Sequence, residues 1–282
     1  QDHLDFYETK EHIVDAFVEF IKKTIYQDGI CVLNLDDPIC EKIIKILDFK
    51  NTLITYSIES KESIIRAENI NYKWSGITFT LIINDTDVGE INLSLFGTHN
   101  VYNALAAIAL AMKNDIPLKH IIEGLHQYGG VSRRLELKYK ANDIVLYDDY
   151  GHHPTEIITT LEGVYKSFSK QRIIAIFQPH RFSRLTHLFN EFTNAFLRSK
   201  KTFILPVFSA GESQETFKTS KQLTDAINEQ ENSDAVYCDS FDSLLVEIKN
   251  MISPGDIFIL IGAGDISLLS EKIIPIIRDV GE

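Results

Sequence analysis

Short apolar runs alternate with helical segments throughout the second half of the chain. The runs that we predict as strands cover residues 143–148, 172–177, 202–205, 235–237 and 256–261. Amphipathic helical patterns fill the intervals between them. Because strands joined through helices pair in parallel with right-handed crossovers, this half predicts a small doubly wound α/β sheet.

The first half has a different pattern. Its predicted helices cover residues 9–23, a segment beginning at Pro38, 100–112 and 117–127, and its predicted strands cover 30–35, 52–57, 64–70, 77–83 and 88–95. A turn composition at residues 84–87 separates the last two strands, which predicts an antiparallel extension to a mixed sheet. Gly129 and Gly130 then interrupt the last helix. We therefore predict one α/β domain over residues 1–131 and a second over 132–282.

Composition excludes several classes of protein. The chain has 282 residues and a net charge of -12, which disfavours a general nucleic-acid or anionic-membrane surface. Its three cysteines form no Cys-x-x-Cys pair, which argues against a disulfide framework or a structural zinc site. Neither a membrane-length apolar run nor a signal-peptide pattern is present. We expect a cytoplasmic protein that binds neither nucleic acid nor membrane.

The most informative polar stretch is Asp-Asp-Tyr-Gly-His-His-Pro-Thr-Glu at residues 148–156. It follows a predicted strand, and Pro154 begins the next helix, so it lies at the carboxyl-terminal edge of the sheet. Open α/β sheets usually bind ligands at that edge. Asp148 and Asp149 could serve only as a helix cap, but a cap does not account for the tyrosine and two histidines beside them. We therefore predict a functional site here.

Two other motifs also follow predicted strands. In Gln-Pro-His-Arg-Phe-Ser-Arg at residues 178–184, the spacing of Arg181 and Arg184 suits one helical face that offers forked donors to a carboxylate or phosphate. In Gly-Ala-Gly-Asp at 262–265, small residues allow backbone amides to approach a ligand. The simpler interpretations are solvated surface charge for the arginines and a plain tight turn for the glycines.

The first half contributes two further candidates. Asn100 and Asn103 lie one helical turn apart and suit the edge of a purine, although Asn100 could simply cap its helix. His3 lies between Asp2 and Asp5, and an imidazole flanked by acids suits a divalent cation. One histidine does not make a metal site by itself.

The motifs, in this order, resemble those of the Mur ligases over nearly the whole chain. The matching segments are 2–5, 97–107, 133–136, 148–156, 177–184 and 262–265. Gly-x-His-Asn-x-x-Asn at 97–103 is similar to an element found across the family, whereas the 148–156 loop with Gln-Pro-His-Arg-x-x-Arg resembles the alanine-adding members. Tripeptide-recycling members typically carry Phe-Ala where this chain has Tyr150 and Gly151.

The resemblance implies an ATP-dependent amide ligase that adds L-alanine to UDP-N-acetylmuramate through an acyl phosphate in peptidoglycan synthesis, with ATP and Mg²⁺ as cofactors. It implies adenine contacts for Asn100 and Asn103, a ribose contact for Asp149, a phosphate contact for Arg134 and magnesium binding for His3. The side chains that it places around the alanine and the muramyl carboxyl end are those of Tyr150, His152, His180, Arg181 and Arg184.

One departure from the family is informative. A complete member also has an amino-terminal UDP-sugar-binding domain and a Gly-rich phosphate loop that opens its central ATP-binding domain. The chain contains no Gly-Lys-Thr-Thr or related string. We therefore expect residues 1–131 to be the carboxyl-terminal part of the central domain, residues 132–282 to be the Rossmann-like carboxyl-terminal domain, and the chain alone to be inactive. A tripeptide-recycling ligase, a non-catalytic ligand-binding fragment and a homo-oligomer stay open.

Overall fold

The chain forms two compact units, Gln1–Tyr128 and Gly129–Glu282, in a computed structural model. The structure describes Tyr7 and residues 9–47, 53–168, 170–213 and 217–280. His3, the predicted magnesium ligand, lies outside these residues. No helix in the described ranges is long and apolar enough to cross a membrane.

Unit 1 is built on a mixed sheet. Its strands, in spatial order, are β1 (Cys31–Asn34), β2 (Leu53–Ser57), β3 (Ile65–Lys73), β4 (Gly76–Ile83) and β5 (Thr86–Leu93). β1, β2 and β3 pair in parallel, whereas β4 pairs antiparallel with both β3 and β5. Asn84 and Asp85 both have positive φ, as a two-residue hairpin turn requires. The predicted mixed sheet with an antiparallel extension is confirmed.

The helices of unit 1 are α1 (Lys10–Tyr26), α2 (Pro38–Ile46), α3 (Thr98–Lys113) and α4 (Leu118–Gln127). The alanine-rich α3 packs on the sheet and fully buries Leu105 and Ile108, because small side chains allow its backbone to approach closely. The residue that precedes α3 is Gly97, with φ +89, so the alternative that Asn100 caps this helix is wrong.

Unit 2 is the predicted doubly wound domain. Its strands are β6 (Glu136–Ala141), β7 (Ile144–Asp149), β8 (Arg172–Phe177), β9 (Lys201–Ile204), β10 (Ala235–Tyr237) and β11 (Asp256–Ile261), in the spatial order β10-β9-β8-β11-β7-β6. Its helices are α5 (Pro154–Ser167), α6 (Phe182–His187), α7 (Phe189–Thr193), α8 (Ser220–Asn228), α9 (Phe241–Met251) and α10 (Leu269–Asp279), the last preceded by a 3₁₀ turn, Asp265–Leu268. All pairs are parallel except β6 with β7.

The prediction of strictly parallel alternation missed β6. This strand is antiparallel and lies at the sheet edge, where its charged side chains stay partly exposed, so it lacks the apolar run that marks the inner strands. Asn142 and Asp143, with φ of 53° and 59°, form its turn to β7. Asp143 therefore lies in a turn and not in the strand predicted to begin there.

The order of strands in unit 2 brings three motifs together. β11 lies between β7 and β8, with Ile261 aligned with both Asp149 and Phe177 at the strand ends. Two backbone hydrogen bonds continue the ladders beyond those ends, from Gln178 N to Ile261 O at 3.0 Å and from Gly262 N to Asp149 O at 3.0 Å. The loops after β7, β8 and β11 thus begin side by side at one edge of the sheet.

Candidate functional site

The loop after β7 is held by the start of α5. His153 is the N-cap residue, and its Nδ1 accepts a hydrogen bond from Thr155 N at 3.2 Å. The Glu156 carboxylate accepts hydrogen bonds from the backbone N–H groups of His152 and His153 at 2.9 and 3.1 Å. Burial acts to raise the pKa of Glu156, but these hydrogen bonds and nearby cations hold it below its usual value. Because His153 caps α5, the alternative that Asp148 and Asp149 form the cap is wrong.

Asp149 is buried in β7 and already has two partners. Its carboxylate oxygens accept hydrogen bonds from Gly151 N at 2.8 Å and Leu135 N at 2.9 Å. Burial raises its pKa, although both hydrogen bonds oppose the shift. Each carboxylate oxygen of Asp149 can accept a second hydrogen bond in addition to the one from the backbone. The ribose contact of Asp149 stays a prediction.

Asp148 forms a buried ion pair with Arg133, a residue that the sequence motifs left without a role. Arg133 Nε lies 3.3 Å from Asp148 Oδ2, and Arg133 Nη2 donates to Gly262 O at 2.5 Å. Burial raises the pKa of Asp148, and Arg133 acts against this shift. No described residue bonds to its buried Oδ1. Arg133 therefore joins the segment before β6 to the ends of β7 and β11.

Aromatic and cationic side chains then form a continuous row. The guanidinium carbons of Arg133 and Arg134 lie 4.9 and 5.7 Å from the Tyr150 ring centroid. The ring of Tyr150 meets His152 edge-on at 5.4 Å, and His152 lies 6.1 Å from His180. Arg134 is half-exposed and pairs with Glu156 at 3.3 Å. The structure therefore brings together four of the predicted site residues.

His180 is the junction between the row and the motif after β8. Its ring stacks on Phe208 at a centroid distance of 5.5 Å and an interplanar angle of 10°. Arg184 Nη1 approaches His180 Nδ1 at 3.4 Å, and because a guanidinium can only donate, this contact favours the neutral tautomer with its proton on Nε2. Burial lowers the pKa of His180, and Arg184, His152 and Arg181 lower it further. The lowered pKa favours the uncharged ring near neutral pH, and in the favoured tautomer that ring can donate from Nε2.

Arg181 and Arg184 were predicted to lie on one helical face, but the structure places only one of them in a helix. Arg181 precedes α6 with φ of 69°, and only Arg184 lies inside that helix. The expectation that both arginines share one helical face is therefore wrong. The side chain of Arg181 is exposed, and no described residue accepts a hydrogen bond from its guanidinium. It remains available for an anion.

The glycines after β11 serve packing. A Cβ atom on Gly264 would lie 2.5 Å from Gln178 Oε1 and 2.8 Å from the Phe208 ring. Gln178 in turn donates to Asp265 Oδ1 at 2.7 Å and accepts from Ile266 N at 3.2 Å. The Gly-Ala-Gly motif thus allows Gln178 and Phe208 to pack against the backbone, a role that its sequence alone did not indicate.

Unit 1 contains a separate pocket of about 380 Å³. It is lined by Leu93, Leu95, Asn100, Asn103, Ala104, Ala107, Gly124, Leu125 and Tyr128. Asn100 Nδ2 donates to Phe96 O at 2.7 Å, and Asn100 Oδ1 accepts from Asn103 Nδ2 at 3.2 Å. Asn100 therefore holds Asn103, which presents the more exposed carboxamide to an otherwise apolar pocket.

No group of three or more His, Cys, Asp or Glu side chains in the described ranges could hold a metal ion. Since His3 lies outside those ranges, its role as a magnesium ligand stays a prediction.

Sequence reasoning missed Phe208 and Glu212, both in the loop after β9. Glu212 accepts hydrogen bonds from Ser183 N at 3.0 Å and from Ser183 Oγ at 2.6 Å. The loop has ordinary composition, and its position after a predicted strand was the only signal that could have identified it.

Comparison with known proteins is consistent with this arrangement. Residues 1–111 match the Mur ligase middle domain, and residues 133–264 match the family domain described as Mur ligase, glutamate ligase domain. The UDP-N-acetylmuramate--L-alanine ligase of Desulforapulum autotrophicum is 38% identical over 98% of this chain and 60% of its own length. The enzyme of the same name from Geobacter sp. strain M21 is 37% identical over 97% of this chain and 58% of its own length.

A solved structure supports the fold. The UDP-N-acetylmuramate-alanine ligase MurC of Thermotoga maritima superposes with a TM-score of 0.78 at 24% identity, over 99% of this chain and 58% of the other. The chain thus spans about 60% of the length of the curated relatives that it matches. Both matched domains come from one family and follow each other in the order of the two units. The chain therefore belongs to the Mur ligase family, as a middle domain followed by a glutamate ligase domain.

Proposed function

We propose that this 282-residue chain forms part of an ATP-dependent ligase that joins L-alanine to UDP-N-acetylmuramate in cytoplasmic peptidoglycan synthesis. The observation that carries the proposal is the row of Tyr150, His152 and His180 beside Arg184 at the edge of the unit 2 sheet. The names of the relatives at 37–38% identity support the choice of substrates. We propose that residues 1–131 bind the adenine of the nucleotide, and that residues 132–282 contact its ribose and phosphates and bind the muramyl carboxylate and the alanine.

The pocket of unit 1 suits a purine base. Its apolar lining can stack against a flat ring, while the Asn103 carboxamide offers a donor and an acceptor at one end. Asn100 orients that carboxamide through the 3.2 Å hydrogen bond. We assign the adenine of ATP to this pocket, and the ribose and phosphates to Asp149 and Arg134.

Arg181, Arg184 and His180 form the acceptor side of unit 2, which suits the binding of an anion. Neutralising the charge of an acyl phosphate there makes its acyl carbon more electrophilic. The exposed Arg181, together with Arg184 and the Nε2–H of His180, can donate to the muramyl carboxylate and to the acyl phosphate formed from it. The carboxylate oxygen takes the γ-phosphoryl group of ATP, and ADP leaves. The neutral alanine amine then attacks the acyl carbon, phosphate leaves with the former carboxylate oxygen, and the amine releases its extra proton to solvent. Tyr150 and His152 would position the alanine beside that carbon, so catalysis comes mainly from orientation and charge.

The described residues contain no group of three or more His, Cys, Asp or Glu side chains that could hold a metal ion, and no step is assigned to a metal. Magnesium would supply charge neutralisation on the ATP phosphates, and His3 is the residue that we propose to hold it.

A chimera tests the proposed activity. These 282 residues would replace the matching part of the Desulforapulum relative, and ADP release would be measured with UDP-N-acetylmuramate and either L-alanine or murein tripeptide. Release that depends on L-alanine supports the proposal. Dependence on tripeptide would favour the recycling alternative, and nucleotide binding without turnover would favour a binding fragment. The unfused chain should release no ADP, because its sequence contains no phosphate loop.

A variant of the same chimera separates the two sides of the reaction. Arg181→Ala should reduce ligation far more than ATP affinity, because we place Arg181 on the acceptor side. Arg198→Ala is the matched control, since Arg198 is a half-exposed arginine paired with Glu162 at 2.6 Å outside the site. An equal loss of ligation and nucleotide affinity in Arg181→Ala would contradict the assignment.

A further inference from the structure

Arg181 has a backbone conformation that needs external support. Its φ of 69° lies in the left-handed region, which a non-glycine residue adopts only at a cost in free energy. It also occupies the N-cap position of α6, yet its side chain makes no capping hydrogen bond. The groups that stabilise this conformation must therefore come from elsewhere in unit 2.

The loop after β9 supplies that support through its backbone. Arg181 N donates to Phe208 O at 2.9 Å, and Phe208 N donates to Pro179 O at 2.8 Å. This pair forms a short parallel bridge between His180 and Phe208, which also stacks their rings. The backbone hydrogen bonds of Phe208 therefore fix the conformation of residues 179–181.

Glu212, in the same loop, replaces the missing helix cap. Its carboxylate accepts the hydrogen bonds from Ser183 N and Ser183 Oγ, and so satisfies the first turn of α6. Burial acts to raise the pKa of Glu212, but its hydrogen bonds with Ser183 and Phe182 and the charge of Arg181 lower it. Glu212, from a different loop, thus caps α6 in place of Arg181. The Arg181 guanidinium is not used as a cap.

We infer that Glu212 is a positioning residue for the acceptor anion, acting through Ser183 to hold Arg181 and Arg184 in their binding geometry. The inference deepens the proposed function and rests on it for the identity of the anion. Glu212 carries a negative charge, so its direct electrostatic effect opposes anion binding. Any favourable contribution of Glu212 must therefore come from holding the arginines in place. This structural effect strengthens anion binding, whereas the charge of Glu212 weakens it.

The opposite signs make the inference testable in the 282-residue chain. Inorganic phosphate would be titrated while NMR follows Arg181 and Arg184 in the wild type, Glu212→Ala and Glu212→Gln. Both variants lose the charge, but only alanine loses every hydrogen bond to Ser183. We expect Glu212→Ala to bind phosphate about threefold more weakly or worse, while Glu212→Gln binds as tightly as the wild type or more tightly. Equal or tighter binding by Glu212→Ala would overturn the inference.

A second measurement does not depend on a ligand. The backbone chemical shifts and the HN–Hα coupling of Arg181 report its left-handed conformation, which Glu212→Ala should alter and Glu247→Ala, at an exposed site on α9, should not. If the wild type binds no phosphate at these arginines, the proposed anion site fails, and the coupling of Arg181 still decides the role of Glu212. If Glu212→Ala does not fold, Ser183→Ala removes only the hydroxyl contact and should alter the same coupling to a smaller extent. Unchanged coupling in whichever variant folds would overturn the inference.

Discussion

Replacing Arg133 by alanine tests the buried ion pair at the site. The variant leaves the Asp148 carboxylate, whose side chain is 2% exposed, without its cation, and it removes the hydrogen bond to Gly262 O. Removing one partner of a fully buried pair costs about 3–5 kcal/mol. Because Arg133 itself is 25% exposed, we expect a loss of roughly 2–3 kcal/mol in the free energy of unfolding of unit 2 near neutral pH.

The pH dependence of this loss follows from the direction of the Asp148 pKa. Burial raises that pKa in the folded protein and Arg133 opposes the shift, so removing Arg133 raises it further. A raised folded pKa means that stability is fully present below the unfolded pKa of about 3.9 and is lost as the pH rises through the folded pKa. The difference between variant and wild type should therefore be small near about pH 4 and largest near about pH 7.

Native-state hydrogen exchange of the β7 and β11 amides is the suitable assay, because it reports unit 2 even if the units unfold separately. Arg198→Ala is a matched control: Arg198 also pairs with a carboxylate and lies 4.6 Å from a tyrosine ring centroid, but it is 45% exposed. The control should cost less than about 1 kcal/mol. A loss for Arg133→Ala that is the same at both pH values, or no larger than the control, would refute this reasoning.

Other variants probe packing and charge elsewhere. Gly264→Ala should destabilise unit 2 by about 1–3 kcal/mol, because the added Cβ clashes with Phe208. Gly124→Ala lies in α4 with open space around it and should stabilise unit 1 by up to about 1 kcal/mol. Thermal unfolding of both variants measures these changes. Asp36 accepts the backbone N–H groups of residues 58–60; burial acts to raise its pKa, but these hydrogen bonds hold it low. The stability that Asp36 contributes should be present above the unfolded pKa and be lost as the pH falls through the folded pKa. Asp36→Asn should reduce this acid sensitivity in urea titrations.

Local patterns were sufficient to predict most elements of the fold. The predicted strands at 172–177, 235–237 and 256–261 coincide with β8, β10 and β11. β8 and β11 are inner strands that are apolar and buried after their first residue, which gives the continuous apolar run typical of a parallel strand covered on both faces. The positions of the polar motifs also followed from sequence, since each comes directly after such a strand. β6 was missed because it is only partly buried and its charged residues interrupt any apolar run, whereas β10, at the other edge, is short but apolar.

The sequence by itself determined the α/β class of both halves of the chain and the positions of the polar motifs at the strand ends of unit 2. Only the tertiary structure decided how those side chains are held. It paired Arg133 with Asp148, made His153 the cap of α5, and supported Arg181 through Phe208 and Glu212. These contacts join residues from different loops of unit 2. Periodicity and motif spacing describe neighbours along the chain, whereas such contacts depend on which strand ends the sheet places side by side.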